Sequence, residues 1–221
     1  IKNDLYNPKR QMLGEEQEAW LQQALQRSKA RGATWQVLGQ QVLMGKLNIP
    51  VIPPEELAKL ELSEYARPRV AQTQQLAPYG LPSNLDAWDG YPAARERLFA
   101  MLSAHATNPI SLAGDTHNGW AFNLTNQKGE AVGVEWGTPG ISSPGLENYV
   151  PLPPEQMQAL LKGASPELVA FDTSQRGWTH VTLTPEAATA QWRFVSSVTE
   201  PTYRTSAGEP LVTQRNARAL A

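Results

Sequence analysis

The sequence of 221 residues contains no cysteine, no long apolar run and almost no excess of charge of either sign. The absence of cysteine excludes disulfides and thiolate metal sites, and it leaves the redox compartment open. No apolar run approaches the ~20 residues of a membrane-spanning helix, and internal repeats and low-complexity tracts are absent. The net charge of −2 gives no indication of a surface specific for nucleic acid or for a membrane.

The composition is that of a folded protein. Hydrophobic residues make up 41% of the chain and charged residues 18%, as in soluble globular domains. A chain of this length is sufficient for one domain with a hydrophobic core. The chain begins at Ile1 and shows no signal peptide, so we expect a mature or trimmed product.

One short stretch combines a strand pattern with two chemically active side chains. Residues 110–113 (ISLA) form an apolar run typical of a short buried strand, and Gly114 permits a sharp exit from it. Asp115 and His117 follow at once. Because ligands of open α/β sheets bind beyond the carboxyl ends of the strands, this pair could share one metal or one phosphoryl group. The alternative is an aspartate that only caps a turn.

Several other motifs occur in a fixed order around this stretch. They are 10–21 (RQMLGEEQEAWL), 35–42 (WQVLGQQV), 86–95 (DAWDGYPAAR) and 135–145 (EWGTPGISSPG). Together with the Gly-Asp-x-His motif at 114–117, this order resembles the C-terminal half of the alkaline phosphatase D family. The resemblance extends from about residue 10 to residue 198. Members of this family are secreted metal-dependent phosphodiesterases and phosphomonoesterases related to the calcineurin-like metallophosphoesterases.

The resemblance implies a fold of the α/β (α+β) class. It implies the C-terminal half of a four-layer αββα sandwich, with a mixed β-sheet and flanking helices. The expected function is metal-dependent hydrolysis of a phosphate ester by a metal-activated water, and the expected location is the periplasm or the outside of the cell.

The resemblance also implies a metal site that this chain completes only in part. Asp115 and His117 match the last metal-site motif of the family, so they are implied as metal ligands and catalytic residues. The family is associated with calcium and iron. The other metal-ligand motifs belong to the N-terminal half of such an enzyme, which is expected to be missing here and to act as the partner of this chain. The fragment alone is therefore expected to be inactive.

Hydrophobic periodicity predicts two long helices and a series of strands. The helices are expected at 14–30 and 91–105, and Trp20 is expected to be buried on the first of them. The strands are expected near 35–43, 110–114, 120–126, 131–136, 168–172, 178–184 and 188–196. We divide the chain into a domain at 1–198 and a polar tail at 199–221. Within the domain, 45–85 is interpreted as an insertion loop with a short helix at 54–62.

Three residues are weaker candidates for substrate binding. Gln40 and Gln41 interrupt the first predicted strand, where their amides could reach a metal ligand or a phosphate oxygen. A β-bulge whose amides bond to the backbone is the alternative. Trp88 could stack on a base or sugar of a substrate, although an aromatic residue in this context is more often part of the core.

Two other functions are compatible with the residues. In the first, the chain is a non-catalytic accessory or binding domain, and Asp115 and His117 are only turn residues. In the second, it is a hydrolase with Ser142 or Ser143, His117 and Asp115 as a triad. Triad members occur in any chain order, but an aspartate and a histidine two residues apart seldom form the orienting pair.

Overall fold

Two β-sheets pack face to face in the computed structural model, which describes residues 2–221. The first sheet is mixed and has five strands in the order β1-β2-β4-β3-β5. These strands are β1 (Gln36–Gly39), β2 (Pro109–Ala113), β3 (Gly119–Thr125), β4 (Ala131–Gly137) and β5 (Leu168–Asp172). β1, β2 and β4 are parallel, whereas β3 is antiparallel to both β4 and β5. The carboxyl ends of the three parallel strands therefore meet at one edge of the sheet.

The second sheet is antiparallel and has four strands. It consists of β6 (Arg176–Leu183), β7 (Ala187–Val195), β8 (Thr205–Ala207) and β9 (Leu211–Gln214), with β7 paired to the other three. Alternate residues of β7 are buried, as expected for a strand with one face in the core. Trp192 and Phe194 of this face share a hydrophobic cluster with Val134 and Trp136 of β4.

Three helices pack against the other face of the five-stranded sheet, namely α2 (Glu15–Ala30), α5 (Pro92–His105) and α6 (Pro154–Ala164). The other α-helices are α1 (Lys2–Leu5), α3 (Pro54–Leu57) and α4 (Ala66–Leu76). Phe99 of α5 and Leu161 of α6 pack in one cluster with Trp120 and Phe122 of β3. None of the helices within residues 2–221 is both long enough and apolar enough to cross a membrane.

The structure confirms the α/β class, with a mixed sheet and flanking helices. The helices expected at 14–30 and 91–105 are present with nearly the same bounds, as α2 and α5. All seven expected strands are present. The first is shorter than expected, because residues 42–45 turn into the core as a buried loop instead of continuing β1.

Three expectations need correction. Trp20 is 60% exposed, so its assignment to the core was wrong. The segment 45–85 contains α4, where we expected loop; Pro68 is the third residue of this helix, a position whose N–H has no partner within the helix. The polar segment 199–221 contains β8 and β9, which both pair with β7 and so extend the sheet that β7 anchors in the core.

Candidate active site

The three loops that follow the parallel strands lie beside one another. The loop after β2 is bonded to the loop after β1, since Gly114 N donates to Gln41 O over 3.0 Å. The loop after β4 is bonded to the end of β2, since Thr138 N donates to Ala113 O over 2.9 Å. This is the edge at which open α/β sheets bind their ligands.

Asp115 and His117 lie in the loop after β2, and both have an unusual backbone. Their φ angles are 69° and 62°, in the left-handed region that few residues other than glycine adopt. Both side chains are exposed, and both line the same cavity. Strained backbone of this kind is concentrated at functional sites.

Thr116, between these two residues, fixes the loop to the core. Its Oγ1 accepts a hydrogen bond of 2.6 Å from Nε1 of the buried Trp120, and its backbone N–H donates to Gly114 O. The loop is therefore held from below by the core while its two flanking side chains face outward. The motif thus combines two potential ligands with a fixed anchor.

One hydrogen bond determines the tautomer of His117. Its Nδ1 lies 2.9 Å from the carbonyl oxygen of Pro144. Because a carbonyl oxygen can only accept, Nδ1 must carry the proton, and the neutral ring then has its lone pair on Nε2. Metal-binding histidines are commonly oriented by a second hydrogen bond of this type.

Arg176, the first residue of β6, holds the same loop from the other side. Its Nη1 donates to His117 O over 2.6 Å, and its Nη2 forms an ion pair of 2.6 Å with Glu147. The guanidinium is almost fully buried, so these contacts are little screened by solvent. Arg176 therefore couples the His117 backbone to the loop after β4.

Behind the site, the segment 44–48 has no regular secondary structure, yet each of its backbone N–H groups is hydrogen-bonded to a side chain. The acceptors, in chain order, are Glu135, Glu135, Glu167, Asp89 and Ser165. Leu47 and Asn48 of this segment line the same cavity as Asp115 and His117. The buried acceptors thus determine where this part of the cavity wall lies.

Two of these carboxyl groups are strongly perturbed. Burial raises the pKa of Glu135, although the N–H groups of Gly45 and Met44 act in the opposite direction. Burial also raises the pKa of Asp89, to about 7, against the opposing hydrogen bond from Leu47 N. The buried Arg95 lies among them: it forms a 2.7 Å ion pair with Glu167 and donates to Met44 O.

Gln40 and Trp88 have their polar atoms bonded to other groups of the protein. Trp88 Nε1 donates to Gln40 Oε1 over 2.7 Å, and Gln40 Nε2 donates to Ser111 Oγ over 2.6 Å. Their role as substrate contacts stays a prediction, and in this structure they link the loop after β1 to β2. Gln41 is exposed and its carbonyl accepts from Gly114 N, and its role as a substrate contact likewise stays a prediction.

Sequence reasoning assigned no role to Glu135, Arg176 or Asn118. The signal for Glu135 was present, because a single carboxylate in the apolar stretch 132–136 is unusual for a buried strand. Arg176 and Asn118 carry no such signal, since their partners lie in loops that are distant in sequence. Among the described side chains, neither Ser142 nor Ser143 is hydrogen-bonded to His117, so the triad finds no support.

A complete metal site is not present within this part of the fold. In residues 2–221, no three side chains of Asp, Glu, His or Cys come together in a way that could hold a metal ion. Asp115 and His117 therefore provide at most part of a ligand set.

Comparison with known proteins identifies related phosphatases. A family model described as PhoD-like phosphatase matches residues 1–192. Alkaline phosphatase D of Bacillus subtilis (strain 168) is 30% identical over 219 residues, which are 97% of this chain and 32% of that protein. A solved structure of PhoD has a TM-score of 0.69 and 26% identity, covering 99% of this chain and 36% of the other. The chain thus spans about a third of the length of these relatives.

These matches confirm the resemblance that the ordered motifs indicated. The family model extends over most of the sequence, and the solved structure has the same fold over nearly the whole chain. The chain belongs to the PhoD-like phosphatase family.

Proposed function

We propose that this chain forms part of the active site of a metal-dependent phosphoric ester hydrolase, with Asp115 and His117 as metal ligands. The observation that supports this most is the geometry of the loop after β2. Two residues with ligand side chains both have left-handed backbone. The bond between His117 Nδ1 and Pro144 O leaves Nε2 as the lone-pair donor.

The donor set suits the metals associated with the family. A carboxylate oxygen suits calcium and iron, and an imidazole nitrogen suits iron. Such ions, when bound, lower the pKa of a water molecule and offset the charge of phosphate oxygens. Two donors are too few for either ion, and no third candidate accompanies them in the described part of the chain. We therefore propose that the other ligands come from the parts of the family fold that this chain does not span.

The residues around the two ligands act as positioning groups. Arg176 and Gly140 N both bond to His117 O, which fixes the backbone of the loop. Pro144 O fixes the imidazole ring, and Trp120 anchors Thr116 between the ligands. A loop held in this way keeps both donor atoms in place before a ligand arrives, which reduces the ordering cost of binding.

The family supports a proposal for the substrates and the location. We propose phosphodiesters and phosphomonoesters as substrates and a periplasmic or secreted location. We also propose that the 221-residue chain alone binds metal weakly and hydrolyses nothing.

The test is a chimera in which this chain replaces the matching third of Bacillus subtilis alkaline phosphatase D. The chimera is expected to hydrolyse bis-p-nitrophenyl phosphate, and a chelator is expected to abolish this. Asp115→Asn and His117→Ala should each reduce turnover at least about 100-fold, or about 2.7 kcal/mol, and should reduce metal content. The exposed Asp86→Asn is the matched control and should leave both unchanged.

Two results would contradict the proposal. Full metal content with near-normal turnover in one variant would remove that residue from the site. The same result in both variants would favour the second candidate, a non-catalytic accessory or binding domain.

A further inference from the structure

The cavity that Asp115 and His117 line has a volume of about 420 Å³. Its wall is formed by residues 47–52, α4, the loop 144–152 and α6, together with residues 115–118. Cavities of roughly 300–1,000 Å³ are the usual size of small-molecule sites. This one therefore has room for a group larger than a phosphate.

Most of the cavity wall is hydrocarbon. Ile49, Ile52, Val70, Met157 and Leu161 line it, and each of these side chains is buried. Phosphate oxygens gain nothing from such a wall. A hydrocarbon group does, by about 0.8 kcal/mol for each methylene removed from water. As a comparison of size, an apolar cavity of about 150 Å³ in another protein binds benzene.

The polar part of the wall includes Asp115, His117 and Asn118. Asn118 is 1% exposed, and its Oδ1 accepts a hydrogen bond of 3.0 Å from Leu146 N, so it joins the loop after β2 to the loop 144–152. Asp115 and His117 are exposed, so they are the polar groups of this wall that a phosphate can reach.

We propose that this cavity binds the hydrocarbon part, an alkyl chain or an aromatic ring, of the phosphate ester on which the site acts. Asp115 and His117 lie in the same wall, so the phosphorus end of such a molecule is placed at the candidate metal ligands while its apolar end is removed from water. The phosphate half of this proposal rests on the proposed function. The hydrocarbon half rests on the cavity alone.

The hydrocarbon half is tested on the 221-residue chain by isothermal titration. The probes are butyl, hexyl and octyl phosphate below their micelle concentrations, the matched alcohols, and inorganic phosphate as reference. We expect the Kd to fall about three- to fourfold for each added methylene in both series. A Kd that does not depend on chain length would overturn the proposal.

Substitutions that fill the cavity distinguish alkyl groups bound inside it from alkyl groups bound elsewhere on the protein. Leu152→Trp adds bulk to the wall, so the Kd should hardly change with each added methylene. Ile141→Trp is the matched control, because Ile141 is exposed and lies outside the cavity, and it should bind like the wild type. If Leu152→Trp has a lowered Tm, Val150→Phe is the second filling variant. Unchanged affinity in a folded filling variant would contradict the proposal.

The chimera makes failure of this inference distinguishable from failure of the proposed function. Its kcat/KM for p-nitrophenyl octyl phosphate should exceed that for p-nitrophenyl methyl phosphate at least tenfold, and Leu152→Trp should remove the difference. Equal values for the two esters would overturn the inference and leave the hydrolase proposal intact. A chimera that binds alkyl groups but hydrolyses neither ester would overturn the proposed function instead.

Discussion

The orientation of the His117 imidazole rests on one hydrogen bond among the described residues, the bond to Pro144 O. A proton on Nδ1, shared with Pro144 O, is what makes Nε2 available as a donor. The acceptor is a backbone carbonyl, so no side-chain substitution removes it directly. The loop that carries it is instead held by Arg176, through Glu147 and through His117 O. Arg176 therefore controls the orientation of a ring that its own side chain does not contact by any described hydrogen bond.

Asp89 makes the stability of the fold depend on pH. Burial raises its pKa to about 7 in the folded state, from an ordinary 3.8. The folded protein thus keeps this proton at pH values where the unfolded chain has released it. Asp89 therefore makes its full contribution to the free energy of unfolding below about pH 4. This contribution falls as the pH rises towards 7, and the total loss is at most about 4 kcal/mol.

The variant Asp89→Asn isolates this effect. It keeps an acceptor for Leu47 N but cannot ionise. Between pH 5 and pH 8, the Tm of the wild type should fall more than the Tm of Asp89→Asn. The exposed Asp86→Asn should behave like the wild type. Parallel pH profiles for wild type and Asp89→Asn would show that the carboxyl group titrates in its ordinary range.

At the scale of the elements, the strands and long helices could be predicted because each has its own period. β7 alternates buried and half-buried residues along its whole length, and α5 begins at a proline in the first helical position. The position of the site could also be predicted, because the carboxyl end of β2 is defined by its apolar run. The buried network around 44–48 could not be predicted. It joins residues that are 42 to 121 positions apart, and no local pattern encodes such partners.

The helix α2 shows why a wide apolar stripe is ambiguous. Leu25 is buried and belongs to the hydrophobic cluster on the helical side of the sheet. Trp20 belongs to the same stripe but lies in a groove beside β1, the edge strand of the five-stranded sheet, and is largely exposed. The helical period alone predicts that both residues face the core. Only the packing of α2 against α5 determines which of them is covered.

This difference predicts unequal effects of two substitutions on the same helix. Leu25→Ala should lower the free energy of unfolding by roughly 2–5 kcal/mol, as for other buried leucines. Trp20→Ala should change it by less than about 0.5 kcal/mol, as for most surface positions. Urea denaturation of both variants measures the two values. A larger loss for Trp20→Ala than for Leu25→Ala would mean that the indole is covered in solution.

The whole molecule is a three-layer arrangement of helices, mixed sheet and antiparallel sheet within residues 2–221. It spans about a third of the length of its relatives, yet it contains an extensive core on both faces of the central sheet. The candidate ligands lie at the rim of this core. This arrangement is consistent with a chain that folds around its own core but needs additional groups to complete the candidate site.

The segment 44–48 has a consequence for the dynamics of the whole molecule. Its amides bond to side chains of three regions: the connection between α6 and β5, the strand β4, and the segment before α5. None of these acceptors is a neighbour in sequence. These acceptors come together only when the whole core is assembled. Local fraying therefore cannot expose the five N–H groups one at a time.

Hydrogen exchange should reveal this directly. Although they lie in a loop, amides 44–48 should exchange as slowly as those in the centre of β3 and β4, with the free energy of global unfolding. The amides of residues 128–130, which all bond to Asn126 within the same turn, should exchange much faster and serve as the internal reference. Equal rates for the two segments would mean that the loop opens independently. Slow rates at 44–48 would place this irregular stretch in the same cooperative unit as the central strands, although no helix or strand contains it.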